Sequence, residues 1–149
     1  MRYLEFLRTL PAVVIPNLPP PMQNIKFRQP YRWLAQFHYG EPRLHYEVSR
    51  SRGRPDLELA FHCESRDKHL NRLLLAGFRR HLFEIKDTLG ESFEAEMWDK
   101  GWTKMYEVHA LEELTPEYQG AVGQRLAEII ICIHPIYVEL RSQVQRIYR

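Results

Sequence analysis

The sequence predicts an α+β domain: an antiparallel three-stranded meander plus a second hairpin, packed against a central helix and a long kinked C-terminal helix. Three observations predict it. Large apolar residues alternate with strand period through residues 31–39, 43–50 and 55–64, separated by Gly40-Glu41-Pro42 and by Arg52-Gly53. A helix-period stripe then runs through Leu70, Leu74, Gly77, Phe78, Ile85 and Leu89. Last, Thr115-Pro116-Glu117 supplies a cap, a proline at the first helical position and an acid in the first turn.

In chain order, residues 1–10 read as a short helix with Leu4 and Leu7 on one side. Residues 11–30 hold six of the ten prolines and read as extended, polyproline-like chain lying along the body. The meander registers follow from alternation and turn length. A four-residue loop over 40–43 pairs Phe37 with Tyr46 and Ala35 with Val48, and a tight turn at Arg52-Gly53 pairs Tyr46 with Leu59. Ser65 is the expected N-cap of one helix running to Leu89 and closed by Gly90, with Gly77 allowing close approach to the sheet. A hairpin over 93–97 and 102–108 places Glu96 opposite Lys104. The final helix starts at Thr115, is apolar on all sides at 129–133, and is kinked or broken by Pro135.

Composition limits the function classes. The 149 residues, 44% hydrophobic and 27% charged, suit one globular domain spanning 1–149, with 1–30 as its N-terminal helix and proline-rich arm. Two cysteines make neither a disulfide framework nor a zinc cluster, and no uninterrupted apolar run approaches bilayer length, so a cytoplasmic protein without a membrane partner is expected. The net charge of +2 hides an asymmetry: residues 1–54 carry nine Lys and Arg against three acids, while 91–139 carry three against ten. Either these halves neutralise each other in the fold, or the basic one meets an anionic partner.

The derived register gathers polar groups on the reverse of the meander. Gln36 falls beside Glu47, Glu47 directly opposite Glu58, and His45 and His62 on the same face. Opposed carboxylates cost up to about 1 kcal/mol unless solvent, an arginine, a shared proton or a cation offsets them. Carboxylates flanked by imidazoles also suit a divalent metal, which makes Glu47, Glu58, His45 and His62 candidate ligands and Glu47 and Glu58 candidate catalytic residues. The alternative is a solvated polar face. Arg50, Arg52 and Arg54 form the densest cationic feature, a candidate nucleic-acid contact that Arg28, Arg32 and Arg43 extend. Trp98, Trp102 and Tyr106 share a face that either joins the core or stacks bases. Cys63 alternates onto the apolar side and reads as an inert buried thiol.

The order α-β-β-β-α-β, with acids at Glu47 and Glu58 on consecutive strands, resembles the core of PD-(D/E)XK nucleases. That resemblance implies Mg²⁺ held by the two acids, with Glu5 as a first-helix candidate, but Ala60 stands where the family places its lysine. Residues 44–106 also resemble a family of uncharacterised domains often appended to restriction-type nucleases, through the run 44–54, the strand ending at Cys63, the helix ending at Gly90 and Glu96-Met97-Trp98. This implies an accessory module in nucleic-acid metabolism or defence. The leading expectation is therefore a binding domain without catalysis and without a cofactor, whose partner is a protein or a second copy docking through Tyr137, Val144, Ile147 and Tyr148. The rivals are a metal-dependent nuclease and a nucleic-acid binder that does not cleave.

Overall fold

The computed structural model describes residues 1–50 and 53–147, and shows the α+β architecture. Helices α1 (Tyr3–Arg8) and α2 (Pro11–Val14) lead into a six-stranded sheet formed by β1 (Lys26–Tyr31), β2 (Leu34–His38), β3 (Leu44–Arg50), β4 (Asp56–Cys63), β5 (Glu94–Trp98) and β6 (Trp102–Ala110). Between β4 and β5 lie α3 (Lys68–Arg80) and α4 (Leu82–Leu89), and α5 (Pro116–Ile147) closes the fold. Every pairing is antiparallel and the strand order is β1-β2-β3-β4-β6-β5.

Several expectations need correction. The proline-rich segment is not extended chain. Pro11, Pro16 and Pro20 begin helical or 3₁₀ turns, where a missing N–H costs nothing, and Pro30 sits in β1, an edge strand that tolerates it. The strand expected over 31–39 is the shorter β2, Leu34–His38, and β1 over Lys26–Tyr31 is an additional strand preceding it. The β3–β4 register slips by two, pairing Tyr46 with Phe61 and Val48 with Leu59. A slip of two keeps every side chain on its face, so the alternation that predicted the faces was blind to it. Glu47 consequently lies opposite Ala60, and Glu58 opposite Ser49.

Helix capping also differs. Asp67, not Ser65, caps α3, accepting from the backbone N–H groups of His69 and Leu70, and the expected single helix divides at His81. Gly90 does close α4, with φ 108°. Gly77 admits α5 and not the sheet: a Cβ there would meet Leu140 Cδ2 at 2.5 Å. Thr115 Oγ1 accepts from Tyr118 N as a cap should, and α5 runs through Pro135 without ending. By length and composition alone α5 is apolar enough to cross a membrane. Its Leu126, Ile129, Ile130, Ile133 and Leu140 are buried in the core of this fold.

That core lies on one face of the sheet. Phe61 meets Phe78 of α3 and Tyr137 of α5, with ring centroids 5.8 and 5.1 Å apart. Tyr46, Phe37, Val48, Leu59, Cys63 and Met105 are buried with them. Glu107 Oε1 and Oε2 accept from Arg125 of α5, fastening the helix to β6. Tyr137 and Val144 are buried within the chain, so neither offers a free docking face; Tyr148 and the side chain of Ile147 lie outside the described residues.

Candidate metal centre in the concave face

The reverse face of the sheet is concave. Arg28 and Pro30 from one edge strand and Trp98 from the other line the same cavity of about 610 Å³, and no helix residue is among the described lining groups. Its floor is β3 and β4. Alternation turns Glu47, Glu58 and His62 inward, and the β4–β6 register sets Lys104 directly opposite His62.

The floor is one connected network. His62 Nε2 lies 3.1 Å from Glu58 Oε2 and 3.4 Å from Glu47 Oε2, while its Nδ1 lies 3.2 Å from Glu64 Oε2. Lys104 Nζ donates to Glu58 Oε1 at 2.6 Å. Gln36 Nε2 donates to Glu47 Oε1 at 3.2 Å and is itself held by Arg28 Nε. His45 stands behind the floor: its ring stacks on His62, its Nδ1 meets the Pro42 carbonyl at 2.8 Å and its Nε2 meets Glu47 Oε1 at 3.1 Å.

His45 therefore meets an acceptor at each ring nitrogen, a carbonyl oxygen at Nδ1 and a carboxylate oxygen at Nε2. Carboxylates that ligate metals are commonly held in place by such neighbouring polar groups, and Glu47 is held by His45 and Gln36. Glu47, Glu58 and His62 each offer a ligand atom within 4.8 Å of the others, and so do His45, His62 and Glu64. The first set faces the cavity. Two carboxylates and one imidazole suit Mn²⁺ or Zn²⁺ better than Mg²⁺, which favours an all-oxygen shell.

Electrostatics in the ligand-free chain follow from the same contacts. Burial alone would raise Glu47, but the His62 and His45 imidazoles and the Gln36 amide outweigh it and hold the carboxyl at about 2. Burial would lower His62, yet Glu47, Glu58 and Glu64 around it push it up to about 10. Glu58 is likewise held below the usual carboxylate range, with His62 and Lys104 outweighing its burial.

No family model, no curated protein and no solved structure matches this chain. The reading of the site therefore stands on its chemistry.

Of the residues predicted from sequence, Glu47, Glu58, His45 and His62 do come together, although Glu47 and Glu58 meet through His62 and not across the ladder. Glu5 is exposed on α1 and is not among the lining residues. Arg50 lines the cavity with its guanidinium 5.2 Å over the Tyr3 ring, Arg54 is exposed on the loop, and Arg52 lies outside the described residues. Glu96 does pair with Lys104 in register, but its carboxylate takes the Tyr106 hydroxyl at 2.8 Å, leaving the ammonium to Glu58. Trp98 and Trp102 line the cavity and are only half-buried. Cys63 is buried as expected, its thiol pushed up to about 12 by burial.

Sequence reasoning missed Lys104, Glu64 and Trp98 as members of the site. Lys104 arrives through the β4–β6 pairing, which spans two intervening helices and leaves no periodicity in the chain, and the β5–β6 hairpin brings Trp98 with it. Glu64 carried a usable signal: just past the end of β4, it continues the alternation from His62. The Trp98 indole Nε1 is buried without a hydrogen-bond partner, a donor-only group beside this cavity.

Proposed function

We propose that the concave face binds a divalent cation through Glu47, Glu58 and His62 and serves as a metal-dependent phosphoesterase acting on single-stranded nucleic acid. The observation that carries this reading is Lys104 Nζ at 2.6 Å from Glu58 Oε1, a lysine brought from the neighbouring strand to carboxylates converging in a cavity. It offers the cation that Ala60 lacks. When bound, the ion supplies Lewis-acid stabilisation of phosphoryl oxygens and a water of lowered pKa. The chain's own groups account for the rest. Lys104, Arg28 and Arg50 line the cavity as cations able to stabilise charge on a phosphate bound there, and the unpartnered Trp98 N–H is a donor available to it. At the rim Tyr31 and Trp33 stack 4.8 Å apart and remain 56% and 53% exposed, a platform for an unpaired base.

The test is cleavage of labelled DNA and RNA oligonucleotides with Mn²⁺, Zn²⁺ or Mg²⁺. Lys104→Ala should lose at least about a hundredfold in rate, on the scale of removing one charge-stabilising donor, while keeping the cation-induced rise in Tm. No cleavage of either polymer with any of the three ions rejects the enzyme.

One observation favours a second reading, a binding domain without chemistry. His62, held at about 10, together with Lys104, balances much of the carboxylate charge with no metal at all. That domain would bind single strands with a steep salt dependence that EDTA leaves unchanged, and Arg50→Ala would flatten the slope.

A further inference from the structure

A second cavity, of about 480 Å³, opens on the opposite side of the sheet between β3, β4, the last turns of α5 and the chain near Met22. Its walls are aromatic: Tyr39, Tyr46, Phe61, His134 and Tyr137. Two polar atoms in these walls are buried without any hydrogen-bond partner, the Tyr46 hydroxyl and His134 Nδ1. Tyr46 is 1% exposed, so its hydroxyl is buried at the back of the cavity.

The other two tyrosine hydroxyls and the charged pair of the lining are already engaged. The Tyr39 hydroxyl donates to the Met22 carbonyl at 2.7 Å, and the Tyr137 hydroxyl donates to Glu41 Oε1 at 2.7 Å. Arg141 grips both oxygens of Glu41, closing the charged pair at the mouth. An orphaned buried hydroxyl costs roughly 1–3 kcal/mol, and buried polar groups in native proteins are otherwise almost always paired. A cavity of this size with apolar walls and a few convergent polar atoms is the form small-molecule sites take.

We infer that this cavity is a binding site for a small, uncharged, planar heteroaromatic molecule that hydrogen-bonds to the Tyr46 hydroxyl and His134 Nδ1. The aromatic preference follows from the walls: Tyr39 packs on His134 at 4.0 Å and Phe61 on Tyr137 at 5.1 Å and 56°, so the cavity presents ring edges and faces against which an aromatic guest can stack or tilt. The lack of charge follows from the Glu41–Arg141 pair, which leaves no unpaired ion among the described lining residues, and from burial, which lowers His134 and keeps it neutral. The site is independent of the concave face: the two cavities share no lining residue.

Benzimidazole is the probe, since it carries one N–H donor and one bare nitrogen on a flat bicycle. Titrated into the full chain and followed by NMR of the aromatic and methyl groups, it should give saturable one-to-one shifts confined to Tyr39, Tyr46, Phe61, His134, Tyr137 and Leu44. Tyr46→Phe keeps the ring and removes the hydroxyl. This variant should melt no lower than wild type, because an unpaired group is gone, and should bind the probe about five- to tenfold more weakly. Phe83→Ser, exposed on α4 and away from both cavities, should bind it unchanged. Shifts scattered over the surface, an affinity that Tyr46→Phe leaves unaltered, or no saturable binding overturns the proposal. So does a crystal grown with the probe in which only water bonds Tyr46 Oη and His134 Nδ1.

Discussion

On the helix side of the sheet, Phe61, Tyr46 and Met105 are inaccessible because α3 and α5 lie on them; on the concave side, His45 and His62 are just as inaccessible under one another and under the curl of the strands. The first side is held by area removed from water, which has no direction and tolerates small shifts. The second is held by a chain of charge-assisted contacts from Arg28 through Gln36, Glu47, His62 and Glu58 to Lys104, in which each group satisfies the next. Such a network rewards completeness and penalises any single deletion. The difference teaches that burial alone does not mark a core: here the buried carboxylates face a cavity, and they are the groups able to do chemistry.

Substitutions on the two sides should separate these cases. The largest loss belongs to the helix side, where Phe78→Ala should cost about 3–5 kcal/mol in urea denaturation, with no second substitution able to restore it by charge. Next comes His62→Leu in EDTA, which strands Glu47 and Glu58 without their shared cation and should cost about 3 kcal/mol. Adding Glu47→Leu and Glu58→Leu should recover much of that, because an apolar replacement of a whole buried ionic group is often neutral; failure to recover would erase the contrast between the faces.

A smaller effect is steric. Gly77→Ala drives a methyl into Leu140 and should cost about 1–3 kcal/mol, and combining it with Leu140→Ala should cost less than the two separately, as a double-mutant cycle would read. Smallest is the exposed pair at Glu41. Hydrogen bonds from Arg141 and Tyr137 outweigh burial and lower its carboxyl. A lowered carboxylate stabilises the fold above the unfolded-state value near 4.5, and that contribution fades as pH falls through the lower folded-state value. With Glu41 half exposed, solvent screening leaves at most about 0.5 kcal/mol. The Tm difference between wild type and Glu41→Gln should therefore shrink between pH 5 and pH 3 and be flat near pH 7.

Faces were legible in the sequence, whereas pairings were legible only where a short turn set them. Phe37 with Tyr46 followed from the loop over 40–43, but the β3–β4 connection is longer than a tight turn and shifted the ladder by two. Glu47, Glu58, His45 and His62 were placed together by alternation, which survives that shift. Lys104 was beyond reach, since the chain carries no local mark of the β4–β6 pairing. Nor did the proline count disclose β1, because a proline on an edge strand and one in extended chain look alike until the neighbouring strand is known.

The most direct test is an electron paramagnetic resonance titration of Mn²⁺ into the full chain, reading the free ion. One ion per chain should disappear from the free signal in wild type and remain in Glu47→Gln and Glu58→Gln. A wild-type chain that takes up no Mn²⁺ at millimolar concentration, or variants that take it up equally well, would contradict a metal centre in the concave face.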